Sequence, residues 1–574
     1  MNAPVQRFPD IRRKIVQRFL RTAVIIDDEL GTGDYPGPPP DVALEDPNFA
    51  NAVSAAQVSD RVAIQPMAAD SPKIGLAAEP TTADDRNGPA AGTCGPADVQ
   101  IKPLADAFLD ESIVCAVLKP SNVDNNEVVK RRAVSACTAA DIAILDWYLR
   151  PNDPTLTLSI LKDLLIADHA SGGRMRLILI YTSAAPLSER AARVQEYLAE
   201  AGMEVSSLGD DNQPHLRIGS SRIVFLLKEG VPGGHSEADL PGIALEEFAK
   251  DADGLMPLFA MSAIARVRDG THHLLSIFRP ELDAAFLGHR LMQSEAAEAD
   301  EFLLGVLLLQ LKGMLSGVDE VLEAFCAETL GCWFDDRFDE SHDDKLKKLE
   351  IDRTKAREAL VEGLKNEERK KVAPKVHSGL HLLHEGVEKA ADNLPLELAR
   401  LSTMLREAEG ATPLPADWIP HLTIGSILTR KVDEEQRYYL CTQPICDTVR
   451  LKGKLFFSFL LLSENEKPNS GAFWLAVRKG GKDLLLRSKK AEPPAAARYH
   501  ALFDADADKN KIIATRTDTG EFVFRDSDGH EYTWLGDLDS LKAQRAVTDL
   551  ASNLARVGMN EFEWLRLGGT LKQS

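Results

Sequence analysis

The segment Val24-Ile25-Ile26-Asp27-Asp28-Glu29 decides the fold of the N-terminal part of the chain, since it has the pattern of a buried strand that ends in acidic residues. Three later segments also consist of an apolar run that leads into a polar residue: Ala143-Ile144-Leu145-Asp146-Trp147, Ile178-Leu179-Ile180-Tyr181-Thr182-Ser183 and Val224-Phe225-Leu226-Leu227-Lys228. In an open parallel α/β sheet the carboxyl ends of the strands converge on one crevice. The pattern therefore predicts that an acidic pair, a single Asp, a hydroxyl and a Lys meet there.

Helical and strand patterns alternate around these segments. Strands are predicted at 23–27, 113–118, 141–146, 175–182 and 222–228, and helices at 99–110, 125–136, 155–168, 187–201 and 238–250. Five strands that alternate with helices indicate a doubly wound parallel sheet with helices on both faces. Residues 31–98 interrupt the alternation because they are rich in Pro, Gly, Ala and Asp, and we interpret them as a partly disordered insertion.

The remaining sequence changes character twice. Residues 256–410 have mostly helical periodicity, and residues 415–540 contain short apolar runs separated by turn signals, which predicts a β-rich region. We therefore predict four parts: an N-terminal helix (1–22), an α/β domain with its insertion (23–255), a helical domain (256–410) and a β-rich C-terminal domain (411–574).

Composition narrows the class of protein. The 574 residues include 67 Lys and Arg against 88 Asp and Glu, a net charge of −21 that disfavours general binding of nucleic acid. The seven Cys residues show no zinc-binding spacing, and their dispersal is typical of reduced thiols. The most apolar helix candidate, 302–311, is shorter than the ~20 residues that span a bilayer. We expect a cytoplasmic protein that binds neither nucleic acid nor a membrane.

The acidic residues of this set suit phosphoryl transfer to a carboxylate. A carboxylate that attacks a phosphoryl group needs a divalent cation to offset the repulsion between the two anions. Because Mg²⁺ favours a few carboxylates together with water and phosphate oxygens, Asp27 and Asp28 are candidate ligands. Asp146 is the candidate nucleophile and a further metal ligand, and the backbone carbonyl of Tyr148 is a candidate fourth ligand.

The two remaining polar residues complete the same chemistry. Thr182 can donate a hydrogen bond to a phosphoryl oxygen, and Lys228 can pair with another oxygen, or with Asp146 when no phosphoryl group is present. Taken together, the set resembles a response-regulator receiver domain of two-component signalling over residues 20–250, less the insertion. The resemblance implies Mg²⁺ as cofactor, a partner histidine kinase as phosphodonor and Phe225, three residues before Lys228, as a switch aromatic.

Three features depart from the receiver pattern. The Lys of receivers is usually followed by Pro, whereas Glu229 follows Lys228 here. The insertion 31–98 stands where receivers have a short loop beside the phosphorylation site. The connection 203–221 before the last strand is unusually long. These differences concern the loops around the site, whereas the polar residues themselves match the receiver pattern.

The sequence leaves three functions open. The first is a signalling protein that takes a phosphoryl group onto Asp146. In architecture it resembles the receiver-bearing components of two-component-like anti-phage defence of the Detocs type, which implies a phosphate sink that restrains a second receiver-effector protein. The second is a receiver-gated effector enzyme with Cys446 and Asp447 in its active site. The third is a pseudo-receiver scaffold that is not phosphorylated.

Overall fold

The computed structural model describes residues 7–29, 101–121, 123–210, 213–293, 296–338, 352–363, 394–410, 412–415, 417–464, 474–488 and 498–554. Within it the chain forms two compact units, Val16–Ala252 and Met1–Ile15 together with Asp253–Ser574. The first is called the α/β unit below, and the second is called the C-terminal unit. The predicted insertion 31–98 lies outside the described residues, and the four-part division predicted from the sequence stays a prediction.

The α/β unit contains one seven-stranded sheet. Its strands are β1 Thr22–Ile26, β2 Val114–Leu118, β3 Ile142–Leu145, β4 Arg176–Thr182, β5 Ser206–Gly209, β6 Pro214–Ile218 and β7 Ser221–Leu227. Their spatial order is β2-β1-β3-β4-β7-β6-β5. The five predicted strands, β1 to β4 and β7, pair in parallel, which confirms the doubly wound sheet.

The long connection before the last strand forms two further strands. β5 and β6 make an antiparallel hairpin, and β6 pairs antiparallel with β7, so that the hairpin extends the sheet at one edge. The sequence predicted five strands, and the structure adds these two. Their pattern was missed because β5, Ser206–Gly209, is short, polar and mostly exposed.

Helices cover the two faces of this sheet. They are α2 Ile101–Asp110, α3 Asn126–Ala139, α4 Thr155–Ala170, α5 Leu187–Glu200 and α6 Leu240–Asp251. Helix α1, Phe8–Phe19, precedes β1, and its residues are divided between the two units. The central strands β3 and β4 are buried along their whole length, as expected for parallel strands with helices on both sides. The apolar cluster on one side includes Leu145, Ile180 and Phe225 with Leu161 of α4 and Val194 of α5.

The C-terminal unit is helical first and β-rich afterwards, as predicted. Its helices are α7 Leu255–Asp269, α8 Thr271–Ile277, α9 Asp283–Leu291, α10 Ala296–Leu315, α11 Asp319–Leu322, α12 Ala327–Arg337, α13 Arg353–Glu362, α14 Leu394–Thr403 and α15 Ser540–Leu554. Among the described helices no single one combines the length and the apolar composition needed to cross a membrane. One bent pair, Ala299–Leu315 with Asp319–Arg337, meets the criterion by length and composition alone, with an angle of 79° between its halves.

A ten-stranded sheet forms the β-rich part of this unit. Its strands are β8 Met404–Glu407, β9 Ser426–Val432, β10 Glu435–Cys441, β11 Lys454–Glu464, β12 Trp474–Lys479, β13 Lys482–Ser488, β14 Arg498–Asp504, β15 Thr515–Arg516, β16 Phe522–Arg525 and β17 Glu531–Leu538. Alternate residues of β10 contribute to two apolar clusters: Tyr439 belongs to one, whereas Tyr438 and Leu440 belong to the other. Two cores therefore flank one sheet.

Candidate functional site

The parallel strands bring the predicted polar residues together at their carboxyl ends. β1 ends at Ile26 and β3 at Leu145, and these two residues are register partners, so that Asp27 and Asp146 follow neighbouring strands at the same level. The amide of Asp146 donates to the carbonyl of Ile26 at 2.9 Å. The chain order reverses between β1 and β3, which is where ligands bind in open α/β sheets.

Lys228 bridges the two acidic strand ends. Its Nζ lies 2.7 Å from Oδ2 of Asp27 and 3.1 Å from Oδ2 of Asp146, and all three side chains are buried. Burial by itself would lower the pKa of Lys228, but the Asp146 and Asp27 carboxylates raise it above its usual value. The amine is therefore a fixed positive charge between two carboxylates.

A compact loop fixes the position of Lys228. The amide of His235 donates to the carbonyl of Leu227 at 2.9 Å, and Tyr181 Oη donates to the carbonyl of His235 at 2.7 Å. A Cβ at Gly234 would lie 2.0 Å from the carbonyl oxygen of Lys228, so only glycine allows this approach. Although Pro does not follow the Lys, the loop still closes tightly against it.

The environment of Asp146 makes its charge costly. Burial raises the pKa of Asp146, Lys228 lowers it and the Asp27 carboxylate raises it, and the net result is a pKa of about 7. The amide of Trp147 donates to Oδ1 of Asp146 at 2.6 Å, and Oγ1 of Thr157 donates to its backbone carbonyl at 2.9 Å. One hydrogen bond thus holds the carboxylate of Asp146, and the other holds its backbone.

The three acidic side chains fit a divalent cation. One carboxylate oxygen from each of Asp27, Asp28 and Asp146 lies within 4.8 Å of the others. Oδ1 of Asp28 is buried and has no hydrogen-bond partner among the described residues. Burial also raises the pKa of Asp28, and the neighbouring Asp27 and Glu29 carboxylates add to the rise. An unpaired carboxylate oxygen beside two more acids is an oxygen donor set of the kind Mg²⁺ prefers.

The other predicted residues occupy different positions around this cluster. Thr182 ends β4 and is fully buried, and its Oγ1 accepts a hydrogen bond from the amide of Ala184 at 3.1 Å. Phe225 is fully buried in the apolar cluster behind the strand ends. Tyr148 is partly buried two residues after Asp146. The roles predicted for these three residues stay predictions.

Sequence reasoning missed three neighbours of the site. Glu29 reaches Lys228 Nζ with Oε2 at 3.6 Å, Thr157 holds the carbonyl of Asp146, and Tyr181 anchors the loop after β7. Glu29 directly follows the acidic pair, and this position after the strand end could have indicated that it lies near Lys228. Thr157 is separated from Asp146 by a loop and one helical turn, and nothing in the local pattern distinguishes it.

Cys446 and Asp447, the alternative pair, lie in the C-terminal unit. They belong to a short 3₁₀ helix, Ile445–Asp447, and both side chains are exposed, with Sγ 3.5 Å from Oδ1 of Asp447. The thiol of Cys446 contacts a carboxylate, whereas nucleophilic thiols are activated by cationic neighbours. A catalytic role for this pair stays a prediction.

Comparison with known families identifies the N-terminal part of the chain. Residues 19–232 match the family model described as the response receiver domain. The matched segment includes all seven strands of the α/β sheet and the residues Asp27, Asp28, Asp146, Thr182 and Lys228. This part of the chain is therefore a response-regulator receiver domain. No curated protein and no solved structure matches the chain.

Proposed function

We propose that the receiver domain accepts a phosphoryl group on Asp146 with the help of Mg²⁺. The observation that carries the proposal is the buried arrangement in which Lys228 Nζ bridges Asp27 and Asp146 while Oδ1 of Asp28 has no hydrogen-bond partner in the described part of the chain. A purely structural acidic cluster has no reason to leave a buried carboxylate oxygen unpaired, since such an atom is costly. In a site that binds a cation and a phosphoryl group, by contrast, such an oxygen is free to coordinate the cation.

The metal-binding role falls to three carboxylates and one carbonyl. Asp27, Asp28 and Asp146 would hold Mg²⁺ together with the backbone carbonyl of Tyr148. When bound, the ion offsets the negative charge of the carboxylate and of the incoming phosphoryl group. Lys228 and the divalent cation are both positive, so we expect Lys228 to turn from Asp27 toward the phosphoryl oxygens.

The nucleophile is an oxygen of the Asp146 carboxylate. This oxygen forms the bond to phosphorus while the bond from phosphorus to the donor's leaving group breaks, and the leaving group takes the electron pair of that bond. Because the Trp147 amide and Thr157 fix the residue, little reorientation is needed before attack. The Thr182 hydroxyl accepts from the Ala184 amide and can still donate its own proton to a phosphoryl oxygen.

The new charge would act on the loop after β4. Because the Ala184 amide is bound to the Thr182 hydroxyl, a movement of this hydroxyl toward the phosphoryl group would draw the loop with it. Phe225 is in register with Ile180, two residues before Thr182 on β4, and belongs to the same apolar cluster as Ile180. A shift of the loop would give its ring a second rotamer, which is the switch role predicted for it.

The phosphoryl group needs a donor and a use in the cell. We infer that the donor is the phosphohistidine of a partner histidine kinase, as the receiver domain implies. The resemblance to two-component-like anti-phage defence supports a role as a phosphate sink that restrains a second receiver-effector protein. If so, adding this protein to a phosphorylated kinase would lower the amount of phosphoryl group on the kinase and on the second receiver. Adding the Asp146→Ala variant would not lower it.

The direct test is the intact mass of the full chain after incubation with Mg²⁺ and acetyl phosphate. Wild type is expected to gain one phosphoryl group that hydroxylamine removes, because acyl phosphates are labile to this nucleophile. Asp146→Ala is expected to gain none. Asp106→Ala, which removes an exposed acid on α2, is the matched control and should label like wild type.

Two results would contradict the proposal. Equal labelling of Asp146→Ala and wild type would place the phosphoryl group on another residue. Absence of labelling from acetyl phosphate and from a phosphorylated kinase, with Mg²⁺ binding intact, would indicate a pseudo-receiver scaffold.

A further inference from the structure

Helix α10 of the C-terminal unit exposes apolar residues that a monomer would normally bury. Its central segment is Phe302-Leu303-Leu304-Gly305-Val306-Leu307-Leu308-Leu309. Leu304, Leu308 and Leu309 are 54%, 56% and 64% exposed. A helix that is apolar on nearly all sides is usually surrounded by protein or lipid. Adjacent exposed leucines of this kind mark an interaction surface.

Six of the exposed residues form one continuous stripe along the helix, and other exposed residues such as Phe302 and Leu303 lie outside it. The six are Glu301, Leu304, Gly305, Leu308, Leu309 and Lys312, which are called the α10 stripe below. Their spacing of i, i+3, i+4, i+7, i+8 and i+11 places them on one face of an α-helix. The stripe has an acidic residue at one end, a basic residue at the other and apolar residues between them.

The spacing of the stripe is the same in both directions along the helix. When two copies of α10 lie antiparallel, with the centre between Val306 and Leu307, each residue meets a defined residue of the second copy. Leu304 faces Leu309, Gly305 faces Leu308, and Glu301 faces Lys312. The opposite charges therefore meet at both ends, and the contact is self-complementary, as a twofold dimer requires.

Gly305 supports this close packing. Beyond its own helical turns, a Cβ at this position would meet no atom of the described residues within 4 Å, so the described part of the monomer does not require glycine there. Glycine in the middle of a helix is unfavourable compared with alanine. In the antiparallel pair it leaves room for Leu308 of the second copy, which gives the residue a reason to be small.

A groove beside the stripe adds to the apolar surface. It has a volume of about 660 Å³ and lies between α8, α9 and α10, with Leu275, Phe278, Leu303 and Leu304 among its walls. The exposed leucines of the stripe and the groove, with Phe302, present on the order of 500 Å² of apolar surface per copy. This is the larger part of the roughly 800 Å² that each partner buries in a standard interface.

We propose that the α10 stripe is a homodimer interface in which two copies of this chain pair through antiparallel α10 helices. The charges favour a second copy over a lipid surface. Asp300 and Glu301 stand at the N-terminal end of the apolar segment, where an anionic membrane would repel them. The same Glu301 is attractive to Lys312 of a second copy.

The test is the molecular mass of the full chain in solution, measured by sedimentation velocity over a range of concentrations. Wild type is expected to have twice the mass of the chain at micromolar concentration. Leu308→Glu is expected to weaken the dimer at least 100-fold, because each copy would place a charge against Gly305 and the neighbouring leucines. Leu541→Glu changes an exposed leucine of α15 and is expected to leave the mass unchanged.

Charge reversal tests the register. Glu301→Lys alone and Lys312→Glu alone each set like charges against one another at both ends of the pair, and each is expected to weaken the dimer about 5- to 30-fold. The double variant Glu301→Lys/Lys312→Glu restores both attractions and should dimerise like wild type. This restoration distinguishes the antiparallel pair from a general loss of folding.

Three results would overturn the proposal. If the wild-type chain stays monomeric at 50 µM, the stripe is not a dimer interface. This holds whether the stripe is covered by another segment of the same chain or stays exposed. A dimer that survives Leu308→Glu uses another surface. A monomer that floats with phosphatidylcholine vesicles through Leu308 uses the stripe as a lipid-binding face.

Discussion

Replacing Lys228 by Met removes the positive charge that two buried carboxylates share. The methionine side chain fills a similar volume and has no charge, so the packing changes little. Asp27 and Asp146 keep their positions, at 2% and 5% exposure, but lose the amine 2.7 and 3.1 Å away. We expect this receiver domain to become much less stable in the absence of Mg²⁺.

The size of the effect follows from burial. Removing one partner of a buried ion pair costs about 3–5 kcal/mol, because the remaining charge is left without compensation. Solvent screens these two carboxylates very little, so the discount that applies to surface pairs does not apply here. Protonation relieves the repulsion between the carboxylates, so the loss is expected to be largest at pH 8 and smaller at pH 5.5.

Hydrogen exchange measured by mass spectrometry isolates this effect within the full chain. A loss of about 3 kcal/mol corresponds to a roughly 100-fold faster exchange of protected amides. The amides of β3 and that of Asp146, which donates to Ile26, are the sites to follow. Addition of 10 mM Mg²⁺ should restore more protection in Lys228→Met than in wild type, since the ion replaces the missing positive charge.

Lys250→Met is the matched control. This lysine is on α6 of the same α/β unit, pairs with Glu247 and has a 48% exposed side chain, so its loss should cost less than about 1 kcal/mol. If Lys228→Met exchanges no faster than Lys250→Met at pH 8, Lys228 does not compensate the two acids, and the electrostatic reasoning about this site is wrong.

Three further variants test the same domain. Burial raises the pKa of Asp146 to about 7, so the folded state keeps a proton that the unfolded chain loses, and stability falls as pH rises from about 4 to about 7. Asp146→Asn should abolish this fall and unfold at higher urea than wild type at pH 8, by on the order of 2–4 kcal/mol. Asp28→Asn should lower Mg²⁺ affinity on the order of 10- to 100-fold in a calorimetric titration, and unchanged affinity would remove Asp28 from the metal site. Asp168→Asn leaves the fully buried Arg176 guanidinium without its partner at 2.7 and 2.8 Å and should cost about 3–5 kcal/mol in urea unfolding, whereas the partly exposed Asp163→Asn should cost under about 1 kcal/mol.

The parallel strands could be predicted from the sequence because the apolar pattern that marks each of them lies within a few consecutive residues. Ile142–Leu145 and Arg176–Thr182 are buried on both faces, so they appear as short, nearly continuous apolar runs that end where the chain turns polar. The same locality placed Asp27, Asp146, Thr182 and Lys228 at strand ends. The hairpin Ser206–Ile218 lacked this signal, since its outer strand is at the edge of the sheet and needs no apolar face.

Residue type and order along the chain determined that a carboxylate pair, an Asp, a hydroxyl and an amine meet at one edge of a sheet. Tertiary structure alone decided how they meet. The sequence suggested that Lys228 pairs with Asp146, but its closer contact with Asp27 depends on the registers of β1, β3, β4 and β7. The elevated pKa of Asp146 likewise depends on burial by distant segments. Distances and dielectric environments arise from contacts between residues far apart in the chain, whereas local apolar patterns encode only the elements that carry them.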